Sequence, residues 1–159
     1  MPESEYVPTG PYFLKSGKRI GKSLEELMFE DYSMLLVMRS KITVAKNEMQ
    51  KHLLWLMDRG EDRVATLPCP YCKEKNLSFF AYSFKERKYY TCCDNWYPCI
   101  GEVLSKAQRF PLKFSSIARF QWASRPYIMA FFKSVFFPGC ENLTAQQLFE
   151  FFSKITPSL

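Results

Sequence analysis

The spacing of the cysteines constrains the fold of this chain more than any other feature of its sequence. Cys69-Pro-Tyr-Cys72 is followed after 19 residues by the adjacent pair Cys92-Cys93, and then by Cys99. A Cys-x2-Cys turn places two thiolates close enough to share a tetrahedral zinc ion, and a hairpin between the two pairs returns the second pair to the first. The spacing therefore predicts one zinc site in this region.

A zinc site of this kind needs four thiolates, and the region offers five. The predicted ligands are Cys69, Cys72, Cys92 and Cys99. Cys93 is the alternate to Cys92, because adjacent side chains at the end of a strand point in opposite directions. The sixth cysteine, Cys140, is expected to be a buried or free thiol. Four thiolates leave no open position for water, so the zinc ion is expected to be structural and to fold the segment.

This pattern resembles the zinc-ribbon family, in which two cysteine knuckles are joined by strands. The likeness is carried by Cys69-Pro-Tyr-Cys72 and by the Tyr-x-Cys approach to Cys92. The second knuckle departs from the family, because six residues separate Cys92 from Cys99 where a ribbon has a shorter spacing. Two alternatives stay open: unrelated core cysteines, or a glutaredoxin-like redox pair. A redox motif opens a helix after its second cysteine, whereas residues 73–80 predict a turn into a strand.

The surrounding sequence predicts an α+β fold, a small zinc-ribbon β-hairpin flanked by N-terminal and C-terminal α-helices. Alternating polar and apolar residues predict hairpin strands over 77–84 and 88–92. We expect three segments. These are 1–63 with a hairpin and helices, 64–110 as the zinc ribbon, and 111–159 as Phe-rich helices packed on the ribbon.

Capping patterns and helical spacing predict the helices on both sides of the ribbon. Those in the first segment are expected to begin at Ser23, Asp31 and Thr43, after a small hairpin that pairs 12–14 with 19–20. The third is expected to stop at Gly60, and His52 within it is interpreted as structural or exposed. Later helices are expected over 101–108, from Ser116 to Trp122, from Pro126 to Phe137 and after Thr144. The stretch 127–137 is apolar nearly all round, which indicates a core helix or a homo-oligomer interface.

The N-terminal segment 12–38 resembles a second module, the small accessory domain at the C-terminus of exodeoxyribonuclease X and its stand-alone bacterial and phage relatives. The matching residues are Gly17, Lys18, Gly21, Lys22, Leu24, Leu27, Asp31 and Leu35. The proline and tryptophan common in that module are missing here. The module has an accessory role in nucleic-acid contact and no catalytic residues, so the resemblance implies Lys18, Arg19 and Lys22 as phosphate contacts. The alternative is that these side chains lie in solvent.

The charge is unevenly distributed along the chain. The net charge is +6, yet residues 1–63 hold ten basic and ten acidic side chains, so the whole excess follows Val64. Such a balance suits nucleic acid, an anionic membrane or an acidic partner. A signal-peptide pattern and a membrane-length apolar run are both missing, which predicts a cytoplasmic protein without a membrane role. A single His argues against a hydrolytic triad.

Aromatic residues make up 17% of the chain, and nine of them lie in 71–97. Next to basic residues they predict a platform on which the bases of a single strand stack. The candidate residues are Lys85, Arg87, Lys88, Tyr90 and Trp96. The alternative is that one face of the hairpin packs against the flanking helices, since a two-stranded hairpin needs cover.

Together these patterns predict a non-enzymatic, zinc-binding accessory protein of a bacterium or phage that contacts DNA or RNA. A protein–protein adaptor stabilised by structural zinc is the alternative. A thiol oxidoreductase using Cys69 and Cys72 is a third reading.

Overall fold

The computed structural model describes residues 6–63, 65, 67–70, 73–83, 88–93, 109–140 and 142–154. This part of the chain has an α+β architecture, the general class expected from the sequence, with α-helices and one three-stranded antiparallel sheet. The α-helices are α1 Leu24–Glu30, α2 Tyr32–Ser40, α3 Glu48–Glu61, α4 Arg125–Phe136 and α5 Ala145–Ser153. The strands are β1 Phe79–Ser83, β2 Lys88–Cys92 and β3 Arg109–Pro111, and 3-10 helices span Phe114–Arg119 and Trp122–Ser124.

The first two helices begin where their capping residues predict. Ser23 and Glu26 form a reciprocal capping box, with the Glu26 amide 3.0 Å from the Ser23 hydroxyl oxygen and the Ser23 amide 2.8 Å from the Glu26 carboxylate. Asp31 caps α2 by accepting from the Met34 amide at 3.3 Å. These side chains satisfy amides that the helices themselves leave without partners.

Helix α3 differs from its prediction at both ends. It starts after Asn47, whose side chain accepts from the Gln50 amide at 2.9 Å, and not at Thr43. Gly60 does not stop the helix but lies inside its last turn. A Cβ atom there would stand 2.8 Å from the Cε atom of Met28, so the glycine allows a close approach between α3 and α1.

The N-terminal hairpin pairs with a different partner from the one predicted. The amide of Leu14 donates to the carbonyl of Lys22 at 2.9 Å, and the amide of Leu24 donates to the carbonyl of Tyr12 at 2.9 Å. The pairing therefore uses 22–24 in place of 19–20. The turn is longer than predicted. Gly17 and Gly21 within it both adopt positive φ, at 89° and 88°, which glycine allows without steric cost.

The sheet has the strand order β2-β1-β3, with Phe79 opposite Cys92 on one side and opposite Pro111 on the other. The hairpin predicted over 77–84 and 88–92 is confirmed by β1 and β2. Strand β3 was not predicted, since its three residues are too few to show an alternating pattern. The helix predicted over 101–108 lies outside the described residues.

The helix predicted from Ser116 to Trp122 is wrong. This stretch forms the two 3-10 helices, and the Ser116 hydroxyl donates to the carbonyl of Pro111 at 2.7 Å instead of capping a helix. Phe114 and Ile117 are fully buried, and their spacing of three suits 3-10 geometry. The next two helices are confirmed, within one residue of Pro126–Phe137 for α4 and after Thr144 for α5.

One hydrophobic core joins the early and late helices. The ring of Phe29 on α1 lies 5.2 Å from that of Phe114, 5.6 Å from that of Phe137 and 5.9 Å from that of Phe152. Helix α4 buries Ile128, Met129, Phe132, Val135 and Phe136 in this core. The core interpretation of stretch 127–137 therefore holds within the chain. Across the described residues, every helix is too short or too polar to cross a bilayer.

Candidate metal centre and nucleic-acid interface

The first cysteine turn is closed by two backbone hydrogen bonds. The amide of Cys69 donates to the carbonyl of Lys75 at 2.7 Å, and the amide of Lys73 donates to the carbonyl of Cys69 at 2.9 Å. Lys73 adopts a left-handed backbone with φ of 61°, which an L-residue with a side chain seldom takes. The chain therefore reverses tightly after the position of Cys72, and Cys69 is fully buried at the start of the reversal.

The reversal leads into a strand, as the sequence predicted. Residues 73–75 bend, Asn76 pairs with Pro68, and β1 begins at Phe79. Within described residues 73–83 there is no helix start of the kind a glutaredoxin-like motif would need.

Backbone pairing brings the two cysteine groups to one short segment. The amide of Leu77 donates to the carbonyl of Leu67, two residues before Cys69, at 3.0 Å. The next amide, of Ser78, donates to the carbonyl of Cys92 at 3.0 Å. The backbone amides of successive residues in an extended strand point to opposite edges, and paired strands lie about 4.8 Å apart. Cys92 and the segment that leads to Cys69 therefore flank the residues just before β1.

All three cysteines that the structure describes in this region are buried. Cys69, Cys92 and Cys93 each have 0% exposure, so burial does not choose between Cys92 and Cys93 as a ligand. Among the described residues, no group of three His, Cys, Asp or Glu side chains is placed to hold a metal ion. Two of the four predicted ligands, Cys72 and Cys99, lie outside those residues. Cys140 is exposed, far from the predicted ligand set in sequence.

The basic side chains of the N-terminal turn are largely engaged by acidic partners. The Arg19 guanidinium lies 3.0 Å from the Asp31 carboxylate, and the Lys22 ammonium lies 3.2 Å from that of Glu30. Lys18 is exposed at the tip. Since two of the three cations implied by the resemblance are paired within the chain, any phosphate contact there would have to compete with Asp31 and Glu30.

The aromatic residues of the hairpin are partly covered. Phe80 is fully buried and contacts the rings of Phe110 and Phe132 at 5.7 Å and 5.3 Å. Tyr90 is half-buried and packs against the same core. The covered-face alternative is thus confirmed for Phe80. Lys88 begins β2, while Lys85, Arg87 and Trp96 lie outside the described residues.

His52 has a structural environment, as one of the two sequence readings predicted. Its side chain is buried, with Nε2 2.5 Å from Oε2 of Glu25, and Nδ1 lies 3.1 Å from the Tyr6 hydroxyl. Burial, followed by the carboxylates of Glu48 and Glu25, raises the pKa of Tyr6 and keeps this hydroxyl protonated. The other Glu25 oxygen accepts from the Tyr12 amide at 3.2 Å. These hydrogen bonds connect the N-terminal segment 6–12 to α1 and α3.

Sequence reasoning missed the exposed aromatic rings that precede and begin α4. Trp122 is 62% exposed and Tyr127 is 72% exposed. The sequence does contain a signal for an anion-binding surface in this region, because every charged side chain between Glu102 and Glu141 is basic. No protein-family model matches the chain, and neither do any curated proteins or solved structures.

Proposed function

We propose that this chain is a non-catalytic, zinc-binding protein that contacts nucleic acid through basic and aromatic side chains, acting as an accessory factor. The zinc part rests on one observation: successive amides before β1 pair with the segment leading to Cys69 and with Cys92. Buried thiols at these positions have the donor chemistry of a structural zinc site. A reducing compartment such as the cytoplasm would keep them available as ligands.

The ligand assignment is tested by serine substitution and metal analysis. Cys92→Ser should release the zinc ion, whereas Cys93→Ser should retain it. Cys140→Ser is the matched control, because that thiol is exposed and is not a predicted ligand. Retention of zinc in Cys92→Ser together with its loss in Cys93→Ser would exchange the two assignments.

The nucleic-acid part is supported by charge. The excess of +6 lies after Val64, and the stretch from 103 to 140 carries no acidic residue. Cations that neutralise phosphates release counterions, so each contact on a single strand contributes about 0.7 to the salt slope. Three contacts would weaken binding roughly 20-fold for a fourfold rise in salt.

The test is a titration of labelled single-stranded DNA, single-stranded RNA and duplex DNA at two salt concentrations. The proposal predicts binding to at least one of these that weakens steeply with salt. No binding at low salt would remove the nucleic-acid function and leave the zinc site to be judged by metal analysis.

A protein-interaction adaptor is the second candidate, and an open groove beside α3 favours it. The groove offers a partner both apolar or aromatic side chains and charged ones. The first group includes Leu54, Trp55 and Met57, and the second consists of Arg39, Lys51, Asp58 and Glu61. The adaptor function predicts no salt-dependent binding of nucleic acid in the same titration.

A further inference from the structure

Trp122 stands out because it is a large aromatic side chain left outside the core. It lies in the second 3-10 helix, just before α4, and 62% of it is exposed. In the described part of the chain, the exposed aromatic side chains are those of Phe13, Trp122 and Tyr127. Two of the three are therefore only five positions apart.

The indole ring of Trp122 rests on a fixed cation. The Arg125 guanidinium carbon lies 4.8 Å from the ring centroid. Arg125 itself is only 9% exposed, and it donates to the Phe120 carbonyl at 3.0 Å, the Ser33 hydroxyl at 3.0 Å and the Ala118 carbonyl at 3.1 Å. These bonds hold the guanidinium from three directions, so the ring has a rigid support under one face while 62% of the side chain stays exposed.

A supported ring is well suited to stacking. An aromatic side chain that is already ordered loses little rotational freedom when a flat ligand covers it, and this lowers the cost of binding. Nucleobases stack on such rings without regard to sequence, because every base has a π-face. The bases of a duplex are already stacked on one another, so an unpaired base fits this site best.

The sequence on both sides of Trp122 carries only basic charged residues, which favours an anionic ligand. The charged side chains between Glu102 and Glu141 are Lys106, Arg109, Lys113, Arg119, Arg125 and Lys133. Arg119 is exposed, and its guanidinium carbon lies 4.7 Å from the ring centroid of Phe110. A guanidinium that packs by its face keeps its N–H edge for a phosphate. A nucleotide supplies both a flat aromatic base for the ring and a phosphate for the guanidinium.

We propose that Trp122 stacks an unpaired base of single-stranded nucleic acid, that Arg119 contacts an adjacent phosphate, and that Arg125 is the positioning residue beneath the ring. This inference rests on the proposed function and locates its base-contacting site on the second 3-10 helix and not on the two strands of the zinc hairpin.

The test compares two ligands with the same number of phosphates: a short labelled oligothymidylate and an abasic oligomer of equal length. Fluorescence anisotropy measures Kd for wild type, Trp122→Leu and Trp122→Phe. Trp122→Leu should raise Kd for oligothymidylate by roughly 5- to 150-fold and leave Kd for the abasic oligomer unchanged. Trp122→Phe keeps a ring and should retain most of the affinity. Thermal melting should match wild type for both variants, because the side chain is exposed.

Two results separate this inference from the proposed function. If wild type binds both oligomers equally and Trp122→Leu changes neither, stacking at Trp122 is overturned while nucleic-acid binding stands. If wild type binds neither oligomer at low salt, both are overturned. Arg119→Gln should weaken binding to both oligomers and reduce the salt slope by about 0.7; an unchanged slope would remove Arg119 from the site.

Discussion

His52 and Glu25 form a buried polar pair whose removal should be costly. Glu25 has no exposure and His52 only 1%, and the pair connects α1 with α3. Their partners, the Tyr6 hydroxyl and the Tyr12 amide, belong to the N-terminal segment 6–12. A buried polar group that loses its partner carries the full penalty of desolvation, so these hydrogen bonds favour one position of the N-terminal segment.

His52→Ala should reduce the free energy of unfolding by about 3 kcal/mol, because it leaves Glu25 buried without its imidazole partner. Urea denaturation measures the change. Lys51→Ala, on the exposed side of the same helix, is the control and should stay within about 0.5 kcal/mol of wild type. A loss below about 1 kcal/mol for His52→Ala would show that the network contributes little.

Tyr32 should make the fold sensitive to alkali. Burial, and then the Glu61 carboxylate, raises the pKa of Tyr32 well above its ordinary value of 10.0. The unfolded chain therefore releases this proton first, and stability falls as pH rises above about 10. Tyr32→Phe should lose less stability between pH 8 and pH 11 than wild type, by about 1.4 kcal/mol. Urea denaturation at pH 8 and at pH 11 measures the change in the free energy of unfolding. An equal decrease for Tyr32→Phe and wild type would contradict this.

Helix α3 packs against α1 through Gly60. Its Cβ position lies 2.8 Å from Met28, 3.3 Å from Phe114 and 3.7 Å from Phe152. Gly60→Val should destabilise the protein by about 2 kcal/mol, because overpacking displaces these side chains. Gly10→Val is the matched control, since nothing lies within 4 Å of that position. Equal melting temperatures for the two variants would refute the close approach.

Local signals predicted the helices whose ends depend on neighbouring residues alone. Ser23 with Glu26 and Thr144 with Gln147 form capping boxes that can be read from sequence. Gly60 could not be understood this way, because its role depends on Met28, which is distant in the chain. Local cues favoured a stop at Gly60, and packing overrode them.

The two candidate sites also differ in whether neighbouring residues alone reveal them. The cysteine spacing gave the zinc prediction because metal geometry limits which spacings can bind. The support beneath the Trp122 ring depends on how Arg125 is held by Phe120, Ser33 and Ala118. Ser33 lies 92 positions away from Arg125, so sequence periodicity contains no signal for that support.

Within the described residues, one hydrophobic core joins the helices to a small sheet, and Cys92 ends a strand of that sheet. Rings from α1, α4 and α5 meet at Phe114. Cys92 is the last residue of β2, and Cys69 follows Leu67, which pairs with Leu77 just before β1. This arrangement predicts that a chelator will affect the sheet before the helices. Hydrogen exchange should show lost protection in β1 and β2 and retained protection in α3. Simultaneous loss in both would contradict separate support for the helices.

The zinc content of the purified full-length chain tests the central claim most directly. Metal analysis by mass spectrometry, with Cys140→Ser as the control, should find about one zinc per chain, because four thiolates close one tetrahedral site. The same measurement on Cys69→Ser should find much less. A chain that is folded by circular dichroism and contains no zinc after purification in zinc-supplemented buffer would contradict the account.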